Sequence, residues 1–70
     1  MLVQFSRVRL VSDRHRADGA LPGMIGYIIE VYPDGKYEVE FSNPEGITIA
    51  QVVVAEEELE PSPERPERSP

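Results

Sequence analysis

Lys36-Tyr37-Glu38-Val39-Glu40-Phe41-Ser42 decides the fold class, because its apolar and charged residues alternate without a break. Successive side chains of a β-strand point to opposite faces, so Tyr37, Val39 and Phe41 are directed at a core while Glu38 and Glu40 face water. Immediately before it, Pro33-Asp34-Gly35 reads as a turn, with proline presetting φ and glycine accepting a positive φ. The segment on the far side of that turn, Met24 to Tyr32, is rich in β-branched and aromatic residues and is the partner strand of a hairpin. Gly23 and Gly26 bracket its start. A glycine inside a strand marks a bulge or a place where two backbones approach closely.

Toward the C-terminus, Asn43-Pro44-Glu45-Gly46 forms a second turn and Ile47 to Val54 a fourth strand. Val52 to Val54 is apolar on both faces, so periodicity leaves its inward side open. Ala55 to Glu58 reads as one short helical turn, and Leu59 begins a short fifth strand. Toward the N-terminus, Ser12 to Pro22 loses periodicity and gathers Asp, Arg, His and Gly, as an exposed loop does. Leu2 to Val11 reads as the first strand, with Val3 and Phe5 on one face and Val8 and Leu10 on the other. The apolar phase changes near Ser6, which predicts a bulge or bend there. The expected fold is therefore all-β: a small SH3-like barrel of about five strands over residues 1–60, with one short helical turn before the last strand. Residues 61–70, Pro-Ser-Pro-Glu-Arg-Pro-Glu-Arg-Ser-Pro, offer no apolar anchor and are expected to form a disordered tail.

A chain of 70 residues has room for one domain, and such a domain buries only about 60% of the surface its unfolded form exposes. With no cysteine and no metal-ligand cluster in the sequence, the core or a partner must hold it together. Neither a signal-peptide pattern nor an apolar run of membrane-spanning length stands in the sequence, so the expected location is cytoplasmic and no membrane partner is expected. The net charge of −6 is uneven. Arg7, Arg9, Arg14 and Arg16 outnumber the acids of the first third, whereas Lys36 is the single cation between Met24 and Glu60. An acidic domain repels phosphate backbones, which makes nucleic acid an unfavourable partner and a basic protein a favourable one.

Material for catalysis is poor. His15 is the only histidine and sits beside Arg14 and Arg16. Asp13 lies two positions before it, a spacing that brings two metal ligands together on an extended segment, but no third ligand accompanies them. Glu38 and Glu40 share a face, as an acid and base pair would, yet an alternating strand places charges on its wet face for ordinary reasons. No enzyme, cofactor or metal is expected. Binding has better support, because Tyr27, Ile28, Ile29, Val31 and Tyr32 crowd both faces of one strand and a single core cannot take them all. Exposed aromatic residues beside carboxylates suit protein recognition. The expected partner-binding residues are Tyr27, Glu30, Tyr32, Glu38 and Glu40, and a free sheet edge offers a second route by main-chain pairing.

Gly23-Met24-Ile25-Gly26-Tyr27-Ile28-Ile29-Glu30-Val31-Tyr32, Gly35-Lys36-Tyr37-Glu38-Val39-Glu40-Phe41, Gly46-Ile47-Thr48-Ile49-Ala50 and Glu58-Leu59 together resemble the bacterial family called domain of unknown function 4926. The likeness covers residues 3–60. Its members often look like the small partner of a two-gene arrangement, so the resemblance implies an antitoxin or immunity protein that neutralises a basic partner. An accessory structural subunit of a larger complex is the alternative. A broader likeness runs to RNA-binding modules of the KOW type. This chain departs from them in lacking basic loops apart from Arg14, His15 and Arg16.

Overall fold

The computed structural model describes residues 2–62, which form β1 (Arg7–Leu10), β2 (Ile25–Val31), β3 (Lys36–Ser42), β4 (Thr48–Ala55) and β5 (Leu59–Pro61). Two single 3-10 turns, Arg16–Asp18 and Glu56–Glu58, complete the ordered elements. All five strands belong to one antiparallel sheet in the order β4-β3-β2-β1-β5. Val8 and Leu10 from β1, Ile28 from β2, Tyr37, Val39 and Phe41 from β3, Ala50 and Val54 from β4 and Leu59 from β5 share one buried cluster. One sheet that buries its inner face against itself must curl, and the result is a small barrel-like, all-β domain.

The alternating stretch lies as expected, with Tyr37, Val39 and Phe41 buried and Glu38 and Glu40 on the outer face. Both hairpin turns use glycine in the left-handed region, Gly35 at φ 86° and Gly46 at φ 85°. In the first, Asp34 Oδ1 accepts the Lys36 N–H; in the second, Asn43 Oδ1 accepts the N–H groups of Glu45 and Ile47. Gly26 is needed for a different reason. It is buried opposite Phe41, and a Cβ there would lie 2.7 Å from the Glu40 carbonyl oxygen and 2.7 Å from Phe41 Cδ1.

The crowding of β2 resolves through a bulge. Ile28 pairs with Val39 but Glu30, not Ile29, pairs with Glu38. The extra residue resets the parity, so Ile28 enters the core and both Tyr27 and Glu30 face out. On β4 the same question is settled by Val54 pairing with buried Tyr37, which leaves Val52 against the core and Val53 exposed.

Two expectations are corrected. The first strand starts at Arg7 rather than Leu2, because Phe5 adopts φ 68° and the chain turns there, with Ser6 donating to the Val3 carbonyl. Val3 and Phe5 are consequently exposed, at 64% and 72%, and supply nothing to the core. The phase change near Ser6 marks this turn. Pro61 belongs to β5 rather than to a tail, since it pairs with Val8 and the following Ser62 N–H bonds to the Arg7 carbonyl. The rest of the expected tail lies outside the described residues.

Candidate functional site

The outer face of the sheet is a grid whose rows are set by the ladder. One row runs Arg7, Tyr27, Glu40, Gln51 across β1 to β4, and the next carries Glu30, Glu38 and Val53. Four of the five expected binding residues therefore occupy two adjacent rows. The fifth joins them by hydrogen bonding, as the Tyr32 hydroxyl donates to Glu38 Oε1 at 2.5 Å. Glu38 also accepts from the Gln51 side chain, and Glu40 accepts from Thr48 Oγ1 at 2.7 Å. No ion pair neutralises Glu30, Glu38 or Glu40 among the described residues.

These contacts tune Glu38. The hydrogen bond from Tyr32, then that from Gln51, holds the Glu38 carboxyl below the usual carboxylate range. In return the Tyr32 hydroxyl is raised above the ordinary phenol value, first because it donates to Glu38 and further because the charges of Glu38 and Glu30 oppose its ionisation. Glu30 and Glu38 stand directly opposite each other, a like-charge pairing that weakens a sheet.

Tyr27 also closes one end of a groove of about 650 Å³, lined by Arg7, Leu21, Gly23, Met24, Ile25, Tyr27, Ser42, Asn43, Pro44, Gly46 and Ile49. Leu21 and Ile49 are 42% and 45% exposed, so their apolar surfaces are open to a visitor. Sequence reading did not find this groove. Its walls come from the loop before β2 and from the β3–β4 turn, which only the fold brings together. The signal available was a bulky apolar residue near each glycine turn, Leu21 before Gly23 and Ile49 after Gly46.

His15, read as an exposed loop residue, instead bonds to Glu58, which the β1–β5 pairing brings beside the first loop. Its Nε2 lies 3.1 and 3.2 Å from the two carboxylate oxygens, with the two side chains 17% and 7% exposed. Burial pushes the Glu58 carboxyl up, but the Ala55 N–H together with His15 and Ser12 outweighs it and leaves the group below the usual range. This pair ties the first loop to the 3-10 turn before β5. The pair is a latch between these two segments, with the Ala55 N–H also bonded to Glu58 Oε1. Among the described residues no group of three or more His, Cys, Asp or Glu side chains is placed to hold a metal ion. No helix among them is long and apolar enough to cross a membrane.

Fold and face together give a small all-β domain with a carboxylate-rich, aromatic sheet surface next to an apolar groove. No curated protein and no solved structure matches the chain. The chain belongs to the family described as Domain of unknown function (DUF4926), which it matches over residues 4–61, as the resemblance implied.

Proposed function

We propose that this chain is a non-catalytic protein-binding module and that the outer face of β2 and β3 receives a basic protein. The observation that carries the reading is the gathering of Glu30, Glu38 and Glu40 with Tyr27 and Tyr32 on one outer face, with no ion pair to any of the three carboxylates among the described residues. The fold gains nothing from Glu30 opposite Glu38, so a role outside the fold accounts for that pair. Carboxylates of this kind steer a cationic surface and raise its association rate, while aromatic side chains anchor the contact. In its most specific form the role is that of an antitoxin or immunity protein neutralising a basic partner, as the two-gene resemblance implies.

The test is co-purification with the product of the adjacent gene, followed by association kinetics of the Glu38→Lys/Glu40→Lys variant. A single small basic partner is expected, with slowed association at low salt. Unchanged kinetics at low salt refutes the steering role. The accessory-subunit reading is favoured by a separate observation. Gln51 to Val53 form an open sheet edge, uncharged and free of main-chain bonds from outside the ladder among the described residues. It predicts a stable complex of several subunits instead. An RNA-binding role is opposed by the hollow that holds Arg14, which Asp13, Glu57 and Glu58 also line.

A further inference from the structure

The groove and the acidic rows are continuous, and their spacing specifies a ligand. Along β3 the outward positions are Ser42, Glu40 and Glu38, and Ser42 lies at the groove. Outward positions on a strand repeat every two residues, about 7 Å. Along β3, Ser42 at the groove is therefore about 7 Å from Glu40 and about 13 Å from Glu38, which Glu30 faces. An extended peptide laid along β3 has the same two-residue repeat. We propose that the apolar groove anchors one apolar side chain of an extended partner segment whose basic side chains, two and four positions along, reach Glu40 and then Glu38 with Glu30. The proposal rests on the protein-binding reading above and gives that partner a recognisable sequence pattern.

Three observations favour this occupant. Leu21, Met24, Ile25 and Ile49 offer mostly apolar walls, and a groove of about 650 Å³ is of ligand-binding size. Charge beside it is one-sided, since Glu40 flanks Tyr27 toward β3 and Arg7 flanks it toward β1, so a cationic segment is directed along β3. A second copy of the chain is a poor fit, because Lys36 is the single cation between Met24 and Glu60 and the same face of another copy brings carboxylates to carboxylates.

The test is selection of a random twelve-residue peptide library, displayed on phage, against the full chain. Three proteins are compared: the wild type, Leu21→Ser/Ile49→Ser and Glu38→Gln/Glu40→Gln. All four substitutions are at surface positions, and circular dichroism checks that each variant is folded. Wild type is expected to enrich apolar-x-basic-x-basic sequences. The strongest peptide, resynthesised, should bind about tenfold more weakly to either variant, the loss expected from one apolar anchor or from the paired charges. Its nuclear magnetic resonance shifts should fall on Met24, Ile25, Tyr27, Ile49 and Glu40. Enrichment of basic residues with no apolar preference overturns the groove proposal while leaving the acidic face as a binding surface. Basic residues three and seven positions from the anchor with none at two, as on a helix, overturn the extended ligand. No enrichment, or a dimer in solution that Ile49→Ser dissolves, overturns the proposal altogether.

Discussion

Replacing Gly26 by alanine tests the packing that holds β2 and β3 in register. The added methyl would lie 2.7 Å from the Glu40 carbonyl oxygen, 2.7 Å from Phe41 Cδ1 and 2.8 Å from Val39 Cγ1. Favourable contacts between carbon atoms lie at about 3.5–4.0 Å, so all three are deep in the repulsive range. Phe41 and Val39 are fully buried within the core, and the carbonyl is main chain within the β2–β3 ladder. Relief therefore requires the two strands to part. Overpacking of this kind costs about 1–3 kcal/mol, and the backbone contact places Gly26→Ala near the top of that range. At about 0.05–0.15 kcal/mol per residue the whole domain has roughly 3–10 kcal/mol to lose. The melting temperature should fall by about 12–24 °C, using about 4–8 °C per kcal/mol for a domain of this size. Gly23→Ala is the control: its φ of 92° strains an alanine, but nothing lies within 4 Å of the new methyl, so a loss of about 1–2 kcal/mol is expected. Thermal and urea denaturation followed by circular dichroism measure both. A Gly26→Ala variant that melts within a few degrees of wild type, or no lower than Gly23→Ala, would refute the close approach of β2 and β3.

The Glu58 latch makes stability pH-dependent. Its folded pKa lies below the unfolded value, so its contribution is fully present above about pH 4.3 and disappears as pH falls through the lowered folded value. Glu58→Gln should lose about 1–2 kcal/mol at neutral pH and show a flatter acid limb in melts taken from pH 6 to pH 3; parallel limbs count against the latch. In an ultraviolet titration, one tyrosine should ionise above the ordinary phenol range, and Glu38→Gln should bring it back down; a curve untouched by that substitution removes the Tyr32–Glu38 bond. Glu30→Lys turns a like-charge pair into an attractive one and should raise the melting temperature while slowing association with a basic partner. A variant both more stable and equally fast to associate would show that Glu30 does not face the partner.

Legibility followed the range of the forces involved. Lys36 to Ser42 was readable because one wet face and one dry face impose a two-residue period on a single strand. Glu30, Glu38, Glu40, Tyr27 and Tyr32 were readable as a group because a hairpin makes neighbours of residues close in sequence. The inward side of β2 was not readable, since the bulge at Ile29 changes the period within one strand and a run of Tyr, Ile and Val does not show where. Val3 and Phe5 alternated like strand residues, yet the left-handed turn at Phe5 sends them out of the sheet. His15 and Glu58 lie 43 positions apart, and the groove joins two loops from different parts of the chain. Such contacts depend on the curled sheet and leave no local pattern.

The place of β1 between β2 and β5 bears on how the protein is made. The chain is synthesised from its N-terminus, so β1 emerges first, yet Leu10 must wait for Leu59 and Val8 for Pro61, nearly the whole domain later. Until β5 emerges, β1 is an edge strand with bare main-chain groups along one side, and Glu58, just before β5, is not yet there to meet His15. Non-local pairing of this kind folds slowly and leaves sticky intermediates. Final closure is therefore a late step in translation, and in the cell substitutions at Leu59 should show first as lost yield of soluble protein.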